Sequence, residues 1–472
     1  MKNPVKISLS LGIPLLVLLL PTSRIPLEGI SIAEHRVIFI FLLAAFFWIL
    51  EPIPIYATSL LIILLELIMI SDKGLNVLID PLKNNQEELL NYREILGTFA
   101  SPIIILFLGG FFLAMAATKY RMDQNLAKVL LRPFGTKPRF VMLGLMLITA
   151  LFSMFMSNTA TTAMMLSILT PVLAVFEMND RGKIAFALSI PVAANVGGIG
   201  TPIGTPPNAV ALKYLTGENL VSFAEWMAFA VPFAMILLII GWIVLGTIYP
   251  AKTPTIQLNI KGSWLKNRKA YIVYATFGLT ILLWLTDFIH GMNSYIVAMI
   301  PVVVFSALNI INKQDLKNIS WDVLWLVSGG IALGLALDKT GLAARLIEAI
   351  PFGSLSTIMI LLSVTVVAAV MANFMSNTAT ANLLLPLVAA LGMNISSLDS
   401  LGGSQMIIIA VTIACSMGMA LPISTPPNAL AFGSGLFKTS EMAKPGIILA
   451  VIGLILAYCM VFLINSLGLF PI

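Results

Sequence analysis

The sequence repeats two short polar motifs, and each copy interrupts a long apolar stretch. Met-Ser-Asn-Thr-Ala-Thr occupies residues 156–161 and again residues 375–380. Thr-Pro-Pro-Asn-Ala occupies residues 205–209 and again residues 425–429. The copies stand 219 and 220 positions apart, so both pairs belong to one internal duplication. Interrupted apolar segments at matching places in two halves indicate the binding site of a membrane transporter.

The composition requires a membrane environment. Of 472 residues, 59% are hydrophobic and only 10% are charged, whereas a soluble domain carries about 25% charged residues. Apolar runs long enough to cross ~30 Å of hydrocarbon recur along the chain. We therefore predict an all-α polytopic membrane protein with about eleven transmembrane helices. The predicted spans are 7–22, 33–50, 53–71, 98–118, 184–215, 221–249, 270–290, 293–311, 321–338, 405–437 and 441–468.

Two further apolar segments, 139–176 and 354–393, each carry a Ser-Asn-Thr triplet near the middle. We predict that they form re-entrant helical hairpins with the triplet at the tip. The duplication then becomes an inverted-topology repeat of two halves, 1–250 and 271–472, joined by a linker at 251–270. Within the first half we assign 1–138 to a scaffold and 139–250 to a transport domain. In the second half the corresponding divisions are 271–353 and 354–472.

The distribution of basic residues predicts the orientation. Residues 119–139 hold six basic residues and one acid, and residues 250–270 hold five basic residues and no acid. Because basic loops remain in the cytoplasm, the N-terminus is predicted to be cytoplasmic and the C-terminus external, in the plasma (inner) membrane. The N-terminal segment resembles a signal peptide, but the sequence after Leu20 lacks a clear cleavage site, which favours a first transmembrane helix. The net charge of +6 is thus a topology signal, and no nucleic-acid partner is expected.

The repeated motifs suit ion and substrate binding. A hairpin tip leaves carbonyl groups without helical partners and exposes N–H groups where the return helix begins. The carbonyl, Ser and Asn oxygens suit Na⁺, whereas the start of the return helix suits an anion. In the second motif, the two prolines must break the membrane helix, because they cannot donate helical hydrogen bonds. We therefore expect four helix ends to meet near the centre of the membrane.

Other classes of function receive less support. The repeated motifs contain no His, Asp, Glu or Cys, so we expect neither an enzyme nor a bound cofactor other than Na⁺. An ion channel is an alternative, but channels repeat a pore segment around an axis, whereas the two hairpins here are predicted to be oppositely oriented. The lipid bilayer and small anions are the expected partners.

The motifs resemble those of the divalent anion:sodium symporter (DASS) family of di- and tricarboxylate transporters. The resemblance covers nearly the whole chain and implies a homodimer whose transport domains move as elevators. It implies dicarboxylate substrates such as succinate, malate, fumarate and 2-oxoglutarate. It places substrate against Asn158, Thr159, Thr205, Pro206, Asn377, Thr378, Thr425 and Pro426. It also implies a first Na⁺ site at Ser153, Ser157, Asn158 and Gly204, and a second at Ser376, Asn377 and Ser424.

Two features depart from a symmetric pair of Na⁺ sites. Ser153 precedes the first triplet by four residues, but Ala372 stands at the matching position of the second half and offers no hydroxyl ligand. Lys213 follows the first broken helix, where it could extend to the membrane interface or substitute for a cation. These departures leave two alternatives open, Na⁺-coupled symport and Na⁺-independent dicarboxylate exchange. Sulfate is a further, less favoured substrate.

Overall fold

A computed structural model describes residues 4–27, 29–84, 89–173, 176–177, 179–217, 220–256, 264–349, 355–395, 398 and 402–467. Within these residues the regular structure is helical throughout, and the only strand-like pairing is one isolated bridge between Ser71 and Leu90. Residues 257–263 of the predicted linker, the predicted boundary at 353–354 and the last five residues lie outside the described residues. The all-α prediction is confirmed for the described part of the chain.

The described residues of the first half form twelve α-helices. They are α1 (Pro4–Leu19), α2 (Ile32–Leu50), α3 (Ile55–Met69), α4 (Asn76–Asn84), α5 (Tyr92–Gly97), α6 (Pro102–Lys119), α7 (Met122–Leu131), α8 (Pro138–Phe155), α9 (Asn158–Leu173), α10 (Gly182–Ile199), α11 (Pro206–Leu212) and α12 (Phe223–Ile248).

The second half supplies ten helices among the described residues. They are α13 (Arg268–Leu285), α14 (Asp287–His290), α15 (Ser294–Ala307), α16 (Trp321–Lys339), α17 (Leu342–Glu348), α18 (Thr357–Phe374), α19 (Asn377–Asn394), α20 (Gly403–Cys415), α21 (Pro426–Phe432) and α22 (Thr439–Leu467).

Eight of the described helical segments are long and apolar enough to cross a membrane. They comprise α2, α8, α10, α12, α16, α18, α22 and the segment Tyr92–Lys119 that includes α6. Because α8 and α18 belong to this set, length and composition leave open whether the hairpins cross or re-enter. A multi-pass membrane protein is therefore supported, whereas the eleven crossings and the orientation of the ends stay predictions.

The two predicted hairpin turns and the two predicted helix breaks all occur where the motifs place them. Helices α8 and α9 form one hairpin and α18 and α19 the other, and each turn lies at its Ser-Asn-Thr triplet. Residues 200–205 separate α10 from α11, and residues 416–425 separate α20 from α21. The short helices α11 and α21 both begin at a proline, the position where a missing N–H has no cost to helical hydrogen bonding.

The segment after α6 corrects the prediction that residues 119–139 form a loop. Residues 122–131 of the basic segment form α7, and 342–348 form α17 at the matching place in the second half. Both helices are short and mix apolar with polar or charged residues, and Asp123 and Asn125 of α7 are buried. The search for continuous apolar spans missed them because amphipathic helices contain no such span.

Equivalent helices of the two halves pack reciprocally, each against the opposite half. Helix α11 packs on α19 and α20 of the second half, and α21 packs on α9 and α10 of the first. In the same way α15 packs on α6, and α3 packs on α16. This reciprocal packing brings both hairpin tips and both helix breaks to the middle of the molecule.

The chain after α12 is anchored by Asp180, which lies between α9 and α10. Its carboxylate accepts hydrogen bonds from the Gly182 N–H (2.8 Å), from the N–H groups of Lys252 and Thr253 (3.0 and 2.9 Å) and from the Thr253 hydroxyl (2.7 Å). Partial burial raises the pKa of Asp180, but these four donors outweigh it and hold that pKa below its usual range. The start of the linker is thereby fixed to the first half.

Candidate functional site

A central cavity of about 350 Å³ collects both motifs from both halves. This volume lies within the range of about 300–1,000 Å³ typical of small-molecule sites. All eight predicted substrate residues line it: Asn158, Thr159, Thr205, Pro206, Asn377, Thr378, Thr425 and Pro426. The predicted cation ligands Ser157, Gly204, Ser376 and Ser424 also line it. The structure thus brings residues from four distant places in the sequence to one site.

Each hairpin tip is shaped by a serine that caps the return helix. The Ser157 hydroxyl accepts a hydrogen bond from the Ala160 N–H (3.2 Å), and the Ser376 hydroxyl accepts one from the Ala379 N–H (3.1 Å). Such a cap satisfies one of the free N–H groups at a helix start. It also fixes the next residue, Asn158 or Asn377, at the first position of its helix and against the cavity.

The helix breaks are held open by the asparagine of each Thr-Pro-Pro-Asn motif. The side-chain N–H₂ of Asn208 faces the carbonyl oxygens of Gly198 (3.1 Å), Ile199 (3.1 Å) and Thr201 (2.8 Å). That of Asn428 faces the carbonyl oxygens of Gly418 (3.2 Å) and Leu421 (2.9 Å). These carbonyls lost their helical partners at the break, so the amide replaces the missing donors.

The two breaks are also joined to each other. The side-chain N–H₂ of Asn195, in α10, donates to Oδ1 of Asn428 at 2.9 Å. Both side chains are buried, and the bond connects the first half directly to the second. Asn195 also lines the cavity. Asn195 was not predicted from the sequence, because it belongs to neither repeated motif.

In the first half, the candidate Na⁺ ligands form a compact group of oxygens. Ser153 is fully buried below the cavity, where its hydroxyl contacts both Oδ1 of Asn158 and the Ala194 carbonyl oxygen, the latter at 2.7 Å. A Cβ built on Gly198 would lie 2.9 Å from Asn158 Oδ1 and 3.0 Å from the Gly204 carbonyl oxygen. Two predicted ligand atoms, Asn158 Oδ1 and the Gly204 carbonyl oxygen, therefore lie close to the position that a side chain at Gly198 would occupy.

In the second half, the equivalent group lacks one member. Ala372 replaces the serine, and Oδ1 of the buried Asn377 has no hydrogen-bond partner among the described residues. Ser424 is instead fixed by its hydroxyl, which donates to the Asn373 carbonyl oxygen at 2.9 Å. A buried amide oxygen without a donor is costly, and a bound cation or a substrate hydroxyl would satisfy it.

Asn373 and two glycines were missed by the sequence analysis. Oδ1 of Asn373 accepts a hydrogen bond from the Ala420 N–H at 2.9 Å and so joins the second hairpin to the second break. Gly198 and Gly418 stand 220 positions apart, and a Cβ on either would collide with the amide of Asn158 or Asn377. Their matching positions in the duplication were the signal that could have revealed the glycine pair.

The cavity contains little charge. Among the described residues that line it, Asp322 at the start of α16 is the only charged one, and none is Lys, Arg or His. The positive potential available to an anion comes from N–H groups at the starts of α9 and α19, whose first residues line the cavity. The site therefore combines helix starts that attract an anion with side-chain oxygens that suit a small cation.

Lys213 does not line this cavity. Its ammonium donates a hydrogen bond to the Ile331 carbonyl oxygen at 2.6 Å and lies 5.2 Å from the centre of the Tyr214 ring. The side chain is directed toward α16, rather than toward the candidate Na⁺ sites. Neither sequence interpretation, extension to the membrane interface or substitution for a cation in the pocket, describes this position.

Comparison with known proteins identifies relatives over most of the chain. A family model described as "Citrate transporter" matches residues 45–402. The sodium-dependent dicarboxylate transporter SdcS of Staphylococcus aureus is 30% identical over 93% of this chain and 86% of its own length. The inorganic phosphate transporter PHO87 of Saccharomyces cerevisiae is 29% identical over 84% of this chain. The chain spans only 43% of that protein, and 48% of an uncharacterized transporter of Schizosaccharomyces pombe.

A solved structure shares the fold. The crystal structure of the Alcanivorax borkumensis YdaH transporter aligns with a TM-score of 0.54 over 91% of this chain and 99% of its own chain, at 14% identity. The family match covers more than half of the chain, which confirms the resemblance stated from the motifs. The chain therefore belongs to the citrate transporter family.

Proposed function

We propose that the protein is a secondary active transporter of C4 and C5 dicarboxylates, such as succinate, malate, fumarate and 2-oxoglutarate. The observation that carries the proposal is the central cavity, where two long helices begin and where none of the described lining residues is basic. A dianion there would be met by N–H groups and by the hydroxyl and amide groups of the two triplets. The name of the Staphylococcus aureus relative supports dicarboxylates as substrates.

Na⁺-coupled symport follows from the same charge distribution. A dianion moved into a cavity that offers Asp322 but no basic side chain needs a compensating positive charge. The oxygens of Ser157, Asn158 and Gly204 offer Na⁺ a place beside the substrate, so binding of the two ions would be mutually favourable. Substrate and Na⁺ would then enter together.

The alternative is a Na⁺-independent dicarboxylate exchanger. The observation that favours it is the incomplete oxygen group around Asn377, because Ala372 cannot contribute a ligand. Sulfate stays a less favoured substrate. It is supported by one relative, whose name describes it as a transporter of an inorganic anion, phosphate. An ion channel has no support from the family match.

An elevator mechanism completes the proposal. We assign α8–α12 and α18–α22 to a mobile transport domain and the other helices to a scaffold that forms a homodimer in the plasma membrane. The cavity is consistent with this division, because it is lined on one side by the motifs and on the other by Ile55, Phe107, Phe111 and the start of α16. Sliding of the motifs past that wall would expose the substrate to either side of the membrane.

Uptake into proteoliposomes tests the choice between symport and exchange. We expect labelled succinate to enter substrate-free vesicles at least tenfold faster with a Na⁺ gradient than with K⁺, since the cavity itself offers no positive side chain. Vesicles loaded with unlabelled succinate are the matched comparison. Uptake that does not depend on Na⁺ and that requires internal succinate would establish exchange. The absence of saturable uptake under both conditions would contradict a dicarboxylate transporter.

Ala372→Thr tests the missing ligand. A hydroxyl at this position would face Oδ1 of Asn377, as Ser153 faces Asn158 in the first half. We expect the Na⁺ concentration for half-maximal uptake to fall about threefold or more, as expected for one additional hydrogen-bonding or ligand group. Ala368→Thr, one turn earlier on α18 and also buried, controls for the added volume. Equal responses of the two variants would count against a second Na⁺ site.

A further inference from the structure

A buried carboxyl group lies outside the substrate cavity. Glu66 belongs to the apolar helix α3 and is fully buried, and neither of its carboxylate oxygens has a hydrogen-bond partner among the described residues. Desolvation of a carboxylate is expensive unless a positive charge compensates it or a proton neutralises it. A glutamate in such a position therefore needs a functional explanation.

A positive charge lies against α16, the helix on which α3 packs. Helices α3 and α16 run side by side in the same direction, with Tyr56 against Trp325 and Ser59 against Leu326. Glu66, two turns after Ser59, therefore lies level with the turn around Gly334 of α16. Lys213, which follows α11, donates to the Ile331 carbonyl oxygen of α16 at 2.6 Å. Tyr214 lies beside it, and its hydroxyl is also buried without a partner among the described residues. Gly334 of α16 makes room for both head groups, because a Cβ there would collide with the Tyr214 hydroxyl and would lie 2.7 Å from Lys213 Nζ.

The other charged groups near α3 are occupied elsewhere. Helix α3 packs on α2, α4, α5 and α16. Arg36 of α2 donates to the carbonyl oxygens of Met69 (2.7 Å) and Leu78 (2.5 Å). Three more of these groups form ion pairs or hydrogen bonds of their own: Glu34 with Arg345, Glu94 with Lys339, and His35 with the Val17 carbonyl oxygen. The remaining charged side chains of these helices are exposed: Glu51, Asp80, Lys83, Arg93, Asp322 and Asp338. Lys213, which is held against α16 at the level of Glu66, is thus the remaining cation among the described residues that can compensate a negative charge there.

We propose that Glu66 is a proton-binding site of the transport cycle and that Lys213 controls its occupancy. This inference rests on the proposed elevator, in which Lys213 moves with the transport domain while α3 and α16 belong to the scaffold. In the present conformation the nearby ammonium favours the ionised form of the carboxyl group. When the transport domain slides, Lys213 leaves, and Glu66 takes up a proton because its surroundings cannot hold an isolated negative charge. The reverse movement returns Lys213 and releases the proton.

The proposal predicts a pH-dependent rate with a defined sign. Departure of Lys213 is coupled to proton uptake, so the exchange of labelled for unlabelled succinate should slow as the pH rises. We expect a decrease of at least about tenfold between pH 7 and pH 9, since each pH unit changes the proton concentration tenfold. This range lies well above the pKa of ordinary carboxylic acids, so the charge of the substrate stays constant.

Two substitutions should remove this dependence. Glu66→Gln mimics the protonated carboxyl group, and Lys213→Met removes the positive charge that favours loss of the proton. Both variants should therefore exchange succinate at a rate that varies less than twofold over the same pH range. Lys339→Met is the matched control, because Lys339 is an exposed lysine on α16 that lies 3.8 Å from Glu94. It should retain the wild-type pH profile.

The outcomes separate this inference from the proposed function. A flat wild-type profile, or a Glu66→Gln profile that still follows the wild type, would overturn the proton site while leaving succinate transport established. Loss of succinate binding by Lys213→Met, measured by calorimetry on folded protein, would place Lys213 in the substrate site and would also overturn the inference. A pH-independent Glu66→Gln variant with unchanged succinate affinity would support it.

Discussion

Asn158→Ala and Asn377→Ala should each lower succinate uptake about a hundredfold or more, which is the scale of loss when a buried polar group that recognises substrate is removed. Asn158 begins α9 and contacts Ser153, whereas Asn377 begins α19 and its Oδ1 has no hydrogen-bond partner in the described part of the chain. Both amides line the cavity. Each can serve the carboxylate through its N–H₂ group and the cation through its oxygen, so alanine would remove both contacts at once.

The matched control for these variants is Asn394→Ala. Asn394 lies at the other end of α19, where its side chain donates to the Ala390 carbonyl oxygen at 2.8 Å, and it does not line the cavity. We expect it to transport within about twofold of wild type, because its side-chain hydrogen bond is local to the helix. Uptake should be measured together with succinate affinity on purified protein. Unchanged uptake by Asn158→Ala or Asn377→Ala would contradict the proposal that the substrate binds in this cavity.

The predictable part of the fold came from residues whose effects are local. A proline cannot donate a helical hydrogen bond, so Thr205-Pro206-Pro207 had to interrupt its helix in any fold. The Ser-Asn-Thr triplets likewise favour a helix start wherever they occur. Because both motifs occur twice at one offset, their convergence on one site was predictable before their distances were known.

The parts that escaped prediction depend on contacts between distant elements. Asn373 matters because Ala420 lies opposite it, and Asn195 because Asn428 does, and no local pattern encodes these pairs. Helices α7 and α17 were missed because their amphipathic sequences do not resemble spans. The direction of Lys213 depends on the position of α16, which belongs to the other half of the chain.

The two halves of the duplication share some of the groups around the cavity and differ in others. Both halves preserve the cap, the asparagine at the tip and the asparagine that holds the break. They differ where a cation would bind, since Ser153 has a hydroxyl and Ala372 does not. The proposed substrate-binding groups are thus nearly symmetric, as expected if the site faces each side of the membrane in turn, whereas the proposed Na⁺ ligands are not.

Gly198→Ala and Gly418→Ala should abolish transport as completely as the asparagine variants, although each adds a single methyl group. The methyl on residue 198 would lie 2.7 Å from Asn158 Nδ2 and 2.9 Å from its Oδ1, closer than side-chain carbons come to such atoms in real structures. At residue 418 it would collide with Asn377 Oδ1 and with the Ala372 carbonyl oxygen. Neither glycine has a positive φ, so alanine can adopt the backbone conformation and the effect is purely steric.

Displacement of the tip asparagines by such a collision would move them away from both substrate and Na⁺. A misplacement of about 1 Å in a binding group is enough to cost about a hundredfold in rate. Gly278→Ala is the control, because Gly278 lies within α13 and a Cβ there would meet nothing within 4 Å. It should fold and transport as wild type does. If Gly418→Ala also transported normally while remaining folded, the amide of Asn377 would not need its present position, and the second hairpin tip would not belong to the binding site.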